Sequence, residues 1–432
     1  MQAVFLGLTV QFAGLVIDFS DMQDTLPSKE DLMSVRPAAP RPGDLAAPPT
    51  IKSMTPTSSP TPSSTLDFTP FKARLAKVAA FLHEKELSHL LVTSPVDVGY
   101  LTGYTGGDSY LLVGGGGGGK PVVISDFRYQ QELEPFKALA EVVIRKASMV
   151  DAVGDLLVSV KAQKAGIQAE YMTVADRDAL AKRVEKGVLA STIGVVMAMR
   201  RIKDEHEVAL ISKAIKIQEQ ALLEVLPTIK PGPTEVEVAG RLEAAMKDKG
   251  ATGFSFGTIV AAKANGSLPH FRPGSTKVAA NQGLLIDWGA QFRGYRGDLT
   301  RTFAIGKWPK KLAEIYPIVL EAHEAAASAL AAGKSTTAID KIARDVITKA
   351  GYGEHFGHGL GHGIGLDTHE DPRMSHMLKG TTLQAGNVVT IEPGIYLPGI
   401  GGVRLEDDYM VTESGCRRLS NLPKTMEWAT LG

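Results

Sequence analysis

Two stretches in the second half of this chain each read as a pair of strands joined by a glycine-containing turn, with acids set to face one another. In Leu284-Leu-Ile-Asp-Trp-Gly-Ala-Gln-Phe-Arg-Gly-Tyr-Arg-Gly-Asp298, a turn centred between Phe292 and Arg293 places Asp287 directly opposite Asp298. In Val388-Val-Thr-Ile-Glu-Pro-Gly-Ile-Tyr and Gly402-Val-Arg-Leu-Glu-Asp-Asp, a turn centred on Gly399 places Glu392 opposite Glu406. Cross-strand partners have Cβ atoms about 4.5–5.5 Å apart. Two carboxylates that close repel, and one takes a proton unless a cation stands between them. One acidic hairpin arises by chance; two in one domain point to a cation site. The apolar approach Leu284-Leu-Ile makes the first pair half-buried and sharpens the conflict.

Between the hairpins lies Gly357-His-Gly-Leu-Gly-His-Gly-Ile-Gly-Leu-Asp-Thr-His-Glu370, which carries His358, His362 and His369 with few bulky side chains between them. Glycine there lets the backbone approach a ligand closely. Histidine with four carboxylates is an oxygen-dominated donor set with one borderline nitrogen, suited to a pair of divalent ions such as Mn²⁺, Co²⁺ or Zn²⁺. Two such ions about 3.5–4 Å apart activate a water and polarise a carbonyl, which is apparatus for amide hydrolysis without a covalent intermediate. The alternative reading is solvated hairpin acids and loop histidines with unrelated roles.

A chain of 432 residues can bury two domain cores. Its 47 basic and 47 acidic side chains cancel, so nothing electrostatic argues for nucleic acid or an anionic membrane. Cys416 is the one cysteine, which excludes an internal disulfide and a thiolate metal cluster. Residues 1–66 hold a weakly apolar start and then a Pro/Ser/Thr-rich run that cannot bury enough apolar surface to fold. They are read as a disordered extension, with a degenerate export or anchoring signal as the alternative to a cytoplasmic protein. Residues 67–195 alternate helix and strand signals as a smaller α/β domain, and residues 196–432 read as an α+β domain without βαβ rhythm or Rossmann fingerprint. Gly114 to Gly119 with Lys120 nearly spells a phosphate-binding loop, but Pro121 stands where Ser or Thr is needed and a strand follows, so a hairpin loop is expected. Thr234-Glu-Val-Glu237 reads as a capping box opening a helix that ends at Gly250.

Taken together, Asp287-x10-Asp298, Gly-His362-Gly-Ile-Gly, Ile-Glu392-Pro-Gly-Ile-Tyr and Gly-Gly-Val-Arg-Leu-Glu406-Asp resemble the pita-bread metallopeptidases, the group of methionine aminopeptidase, aminopeptidase P, prolidase and the metal-free creatinase. The resemblance is close over residues 200–423 and looser over 68–195, where Asp97-Val-Gly-Tyr-Leu-Thr-Gly-Tyr looks like the N-terminal domain of the proline-specific branch. It implies a C-terminal pita-bread fold behind a creatinase-type N-terminal domain, in a homodimer or homotetramer. Asp287, Asp298, His362, Glu392 and Glu406 would be ligands of two divalent metals, with Mn²⁺ favoured and Glu392 also taking the proton of the nucleophilic water. His270, which precedes Asp287 by 17 residues, would line the substrate site with His358 and His369. Arg404 would either orient a ligand carboxylate or meet the substrate's own. The implied substrates are short peptides with proline in second position, and the short interval between Glu392 and Glu406 leans toward a dipeptidase over an aminopeptidase P. A creatinase-like metal-free C–N hydrolase and a non-catalytic peptide-binding module are the alternatives; both predict lost ligand positions, and all five are present.

Overall fold

The computed structural model describes residues 67–115 and 119–432, together with a two-residue antiparallel pair, Gln11–Phe12 with Leu15–Val16. The extension expected over residues 1–66 otherwise lies outside the described residues, as do positions 116–118 of the glycine run. Thr65–Gly432 forms one unit. No helix among the described residues is long and apolar enough to cross a membrane.

The first layer is built on a six-stranded sheet. Helix α1 (Thr69–Glu84) turns Leu75, Val78 and Leu82 inward at helical spacing and packs beside β1 (His89–Val92). Helix α2 (Pro95–Thr102) starts on Ser94, whose side chain accepts the Asp97 N–H. Strands β2 (Tyr110–Gly114) and β3 (Val122–Ser125) form the expected antiparallel hairpin around the glycine run, and Lys120 therefore leads into a strand, not a helix. Then follow β4 (Glu141–Ile144), α3 (Met149–Ser159), β5 (Ala165–Gln168), α4 (Val174–Ala181) and β6 (Leu189–Thr192). The strand order is β4-β3-β2-β1-β5-β6, parallel except across the β1–β2 and β2–β3 pairs.

Helix α5 (Val195–Arg200) leads into the second layer. Asp204 and Glu207 form a capping box that starts α6 (Glu205–Val225), and Thr234 and Glu237 form the expected one at α7 (Glu235–Asp248). Strand β7 (Gly253–Phe254) and β8 (Ile259–Ala262) precede the first acidic hairpin, made of β9 (Gln282–Trp288), β10 (Ala290–Phe292), β11 (Tyr295–Arg296) and β12 (Leu299–Ile305). Helices α8 (Lys310–Ser328) and α9 (Thr336–Lys349) cover the core, and β13 (Gly361–Gly363) and β14 (Glu370–Met374) carry the histidine segment. The second acidic hairpin comprises β15 (Val388–Ile391), β16 (Gly394–Leu397), β17 (Gly401–Arg404) and β18 (Asp407–Val411), followed by β19 (Cys416–Arg418) and β20 (Thr430–Leu431). The sheets run β8-β9-β12-β20, β14-β13-β15-β18-β19, β11-β10-β7 and β16-β17.

Strand alternation decides what reaches the site. On β9, Leu284, Ile286 and Trp288 enter the helix-covered core, while Leu285 packs with Ile259, Ala261 and Tyr396 on the other face. Asp287 shares the Leu285 face because side chains alternate with period two. Its cross-strand partner, however, is Thr300 and not Asp298. The turn centres between Arg293 and Gly294, not between Phe292 and Arg293: both take positive φ (49° and 88°), the geometry of a two-residue hairpin turn matched to strand twist. The shift moves the pairing by two residues and so leaves the face unchanged: Asp298 stands diagonal to Asp287 on the same side. The second hairpin has the expected register. Gly394 pairs with Arg404 and Leu397 with Gly401 around Gly399, and Val388 with Met410 through Ile391 with Asp407 continue it, bringing Glu392 level with Glu406 in the gap.

Candidate metal centre

The backbones of the two hairpins meet where the Glu406 N–H donates to the Thr300 carbonyl at 3.1 Å. The Thr300 hydroxyl donates to Glu406 Oε2 at 2.6 Å, and Arg404 Nε donates to that hydroxyl at 3.0 Å. Arg404 also donates to Asp287 Oδ2 at 2.5 Å and to the Tyr396 hydroxyl at 3.0 Å. Of the two roles open to Arg404, the geometry is therefore that of a cation holding Asp287. From the histidine segment, His362 brings Nε2 to 3.7 Å from Asp298 and 3.3 Å from Glu392. Asp287, Asp298, His362, Glu392 and Glu406 thus line one cavity of about 760 Å³. His270, His358, His369 and Arg404 line the same cavity, so every sequence-derived site residue converges there.

The donor set fits divalent cations on three observations. Asp287 Oδ1, Asp298 Oδ1 and Glu406 Oε1 are buried without a hydrogen-bond partner among the described residues, a costly state for carboxylate oxygens unless something positive meets them. Ligand atoms of Asp298, His362 and Glu406 all lie within 4.8 Å of one another. His362 Nδ1 contacts its neighbour's carbonyl, Gly363 O, at 3.0 Å; an N–H donated there fixes the tautomer that leaves the Nε2 lone pair facing the acids.

The electrostatics agree. Burial, then the neighbouring carboxylates Glu406 and Asp287, push Asp298 well above the usual carboxylate range. Burial and then Glu392 and Asp287 do the same to Glu406. Glu392 is pushed up to about 8 by burial, against the pull of Arg404, and Asp287 moves up for the same reason. Burial holds His362 down to about 3, so its imidazole is neutral. Among the described residues Arg404 is the one arginine or lysine that touches these four acids, which leaves the centre short of positive charge.

His358 has both ring nitrogens engaged, Nδ1 with Gly359 O and Nε2 with the Tyr396 hydroxyl, each at 2.8 Å, and burial holds it down to about 4. His369 is more exposed and stands edge-on to His362, ring centroids 4.3 Å apart. Sequence reasoning missed several members of this site. Tyr396 joins Arg404 to His358, and it lay at the end of a quoted motif without a role. Asp408 accepts the Asp298 N–H at 3.1 Å while its Oδ1 is buried without a partner. Arg272, on a loop, and Arg373, on β14, also line the cavity, with no local pattern to flag them.

A cavity of buried acids around a metal-ready histidine, on paired hairpins, defines a metallopeptidase-type centre, and comparison with known proteins agrees. The profile of metallopeptidase family M24 matches residues 209–413, and that of the Creatinase/Prolidase N-terminal domain matches residues 74–202. The Xaa-Pro dipeptidase of Pyrococcus furiosus is 33% identical over 356 residues, covering 82% of this chain and 99% of that protein. Among solved structures, the Xaa-Pro dipeptidase from Bacillus anthracis is 34% identical with a TM-score of 0.79, covering 82% of this chain and 99% of the other. The X-Pro aminopeptidase from Thermotoga maritima is 32% identical with a TM-score of 0.75, covering 82% and 98%. The chain belongs to metallopeptidase family M24, and its architecture is a pita-bread fold behind a creatinase-type N-terminal domain.

Proposed function

We propose that this chain is a metal-dependent Xaa-Pro peptidase that hydrolyses the bond between an N-terminal residue and proline, acting chiefly on dipeptides. The observation that carries the reading is the set of orphaned carboxylate oxygens of Asp287, Asp298 and Glu406 around the lone pair of His362. Asp287, Asp298, His362, Glu392 and Glu406 would hold the metal ions, which we take to be two Mn²⁺, with Co²⁺ or Zn²⁺ as alternatives. When bound, such ions polarise the scissile carbonyl and acidify the attacking water. The chain's own groups do the rest. Glu392 takes the proton from the water and delivers it to the departing prolyl nitrogen. His270 and His369 present their imidazoles to the carbonyl oxygen as it becomes tetrahedral; a donor placed for that oxygen contributes a few kcal/mol. His358, its nitrogens bonded to Gly359 and Tyr396, meets the substrate from the cavity wall and keeps Tyr396 and Arg404 in place.

Both dipeptidase and aminopeptidase names stand among the relatives at similar identity. The cavity favours the former. Arg272 and Arg373 line it without a carboxylate partner among the described residues, the one hydrogen bond of Arg373 going to the His369 carbonyl. A guanidinium so placed is a receptor for the carboxylate that a dipeptide carries immediately after its proline.

The test is hydrolysis of Ala-Pro, Ala-Pro-Ala, Ala-Ala and Met-Ala-Ala by chelated protein and again after adding Mn²⁺. Manganese-dependent cleavage of Ala-Pro alone is expected. Cleavage of Ala-Pro-Ala would make the protein an aminopeptidase P. No cleavage under any condition would move the assignment to a metal-free C–N hydrolase or a peptide-binding module.

A further inference from the structure

Asp97, in the first-layer run Asp97-Val-Gly-Tyr-Leu-Thr-Gly-Tyr, is remote from the cavity in sequence and yet ends a chain of contacts that leads to it. Its Oδ2 accepts from the Gln168 amide at 2.6 Å, and that amide's own oxygen accepts the Thr93 and Ser94 N–H groups, so the carboxylate is anchored to the sheet. Its Oδ1 accepts from Arg200 Nη1 at 2.8 Å. The other end of the Arg200 fork, Nη2, donates to Asp367 at 2.6 Å and to Glu370. Lys203 Nζ sits 3.1 Å from the second oxygen of Glu370. Apart from the half-exposed Asp367, these side chains are 7% exposed or less.

Asp367 and Glu370 bracket His369. The rest of that segment is also tied: Arg296 holds the Leu366 carbonyl at 2.9 Å, and the Thr368 hydroxyl holds the Ser255 carbonyl at 2.6 Å. Leu366 packs against the first-layer core, and among the described residues the Arg200 fork is the polar tie from this segment to a first-layer side chain. Buried ion networks contribute little stability beyond what well-packed apolar groups of the same volume provide, but a planar guanidinium fork fixes geometry. We infer that Arg200 is a positioning residue: anchored on Asp97, it holds the 365–370 segment so that His369 stands against His362 and the substrate, which makes the first layer part of the active site. The inference rests on the peptidase reading only where it assigns His369 a contact with substrate.

The experiment is a double-mutant cycle on the full-length Mn²⁺-loaded protein with Ala-Pro. Asp97→Asn is nearly isosteric, and Arg200→Lys keeps the charge but loses the fork, so both are conservative enough to fold. Each lowers kcat about tenfold with KM changed less than about threefold, and each lowers it less than about twofold when introduced beside His369→Ala, because groups acting through one another are non-additive. Equal losses in both backgrounds, or no loss at all, overturn the positioning role. A second readout is independent of turnover. In zinc-loaded protein with ¹⁵N-labelled histidine, the His369 ring resonances shift or broaden in both variants while those of His83, remote on α1, stay in place; unmoved His369 resonances also overturn the inference. Wild-type protein that failed to cleave Ala-Pro would sink the peptidase reading, and the resonances would still decide the positioning.

Discussion

Glu406 and Asp407 are neighbours in the chain, both fully buried, and they are treated in opposite ways. Glu406 faces the cavity, where one oxygen accepts from Thr300 and the other has no hydrogen-bond partner among the described residues. Asp407 faces away and is saturated: Arg301 donates at 2.7 Å, Lys424 at 2.6 Å and the Ser420 hydroxyl at 2.7 Å, with His323 Nε2 3.7 Å off. Burial pushes both carboxyls up. At Asp407 the charges of Arg301 and Lys424 win and hold it well below the usual range, whereas at Glu406 the added charges of Glu392 and Asp287 drive it further up. The same alternation separates Thr300 from Arg301 on β12. Arg301 donates to the carbonyls of Thr300, Glu406, Leu422 and Pro423, tying the C-terminal segment behind the hairpins. One face of the β9–β12 and β17–β18 strands is thus complete in itself, and the other is left incomplete in the one respect, positive charge, that a bound cation supplies.

The largest effect should come from breaking the incomplete face. Asp298→Asn removes a ligand oxygen without changing shape, and losing several kcal/mol of transition-state stabilisation lowers kcat/KM at least about 10³-fold. The contrast predicts more: metal-free Asp298→Asn melts no lower than metal-free wild type, because a mutually repelling buried carboxyl has been neutralised. Calorimetry of both proteins in chelator checks this. Near-normal turnover, or a large loss of apo stability, would put Asp298 in the structural class with Asp407.

Breaking the complete face should act the other way round. Arg301→Met leaves Asp407 buried with fewer partners, and removing one member of a buried pair costs about 3–5 kcal/mol. The urea midpoint should fall accordingly while bound metal per folded protein stays at the wild-type ratio. A variant of wild-type stability that had lost its metal would show that Arg301 serves the site and not the scaffold.

How much of this was legible beforehand depended on the range of the interaction. The Glu392–Glu406 register could be read because one symmetric turn on Gly399 governs both ladders. The Asp287–Asp298 register was displaced, since nothing in Phe292-Arg293-Gly294 announces that Arg293 takes positive φ; the two acids still share a face because the error was an even number of residues. Thr234 and Glu237 gave a capping box four residues wide, and it formed as read. Asp204 and Glu207 gave another that was passed over in a run of charges. Arg301 with Asp407, and Arg200 with Asp97, are separated by 106 and 103 residues and have no periodicity to betray them. Arg404 was left with two roles because a lone arginine beside an acid says nothing of which carboxylate it will meet.

The smallest effect is also the sharpest test of the charge deficit, because its sign differs between the two faces. Glu392 titrates near 8 in the folded metal-free protein against an ordinary value of 4.5. Between those values the folded state keeps a proton that the unfolded chain has released, so stability falls as pH rises through that window and levels off above it. Asp298, Glu406 and Asp408 are displaced in the same direction and add to the slope. Asp407 works oppositely: its stabilisation is fully present above the ordinary value of 3.8 and is lost only as pH falls below it. Chelated protein should therefore lose a few degrees of Tm from pH 5 to pH 8. With saturating Mn²⁺ the slope should flatten or reverse, since cation binding favours the deprotonated acids and stabilises the folded state in proportion to ligand excess. A Tm that rose with pH in the chelated protein would mean that Arg404 alone compensates the four acids, and the two faces would then differ in geometry but not in charge.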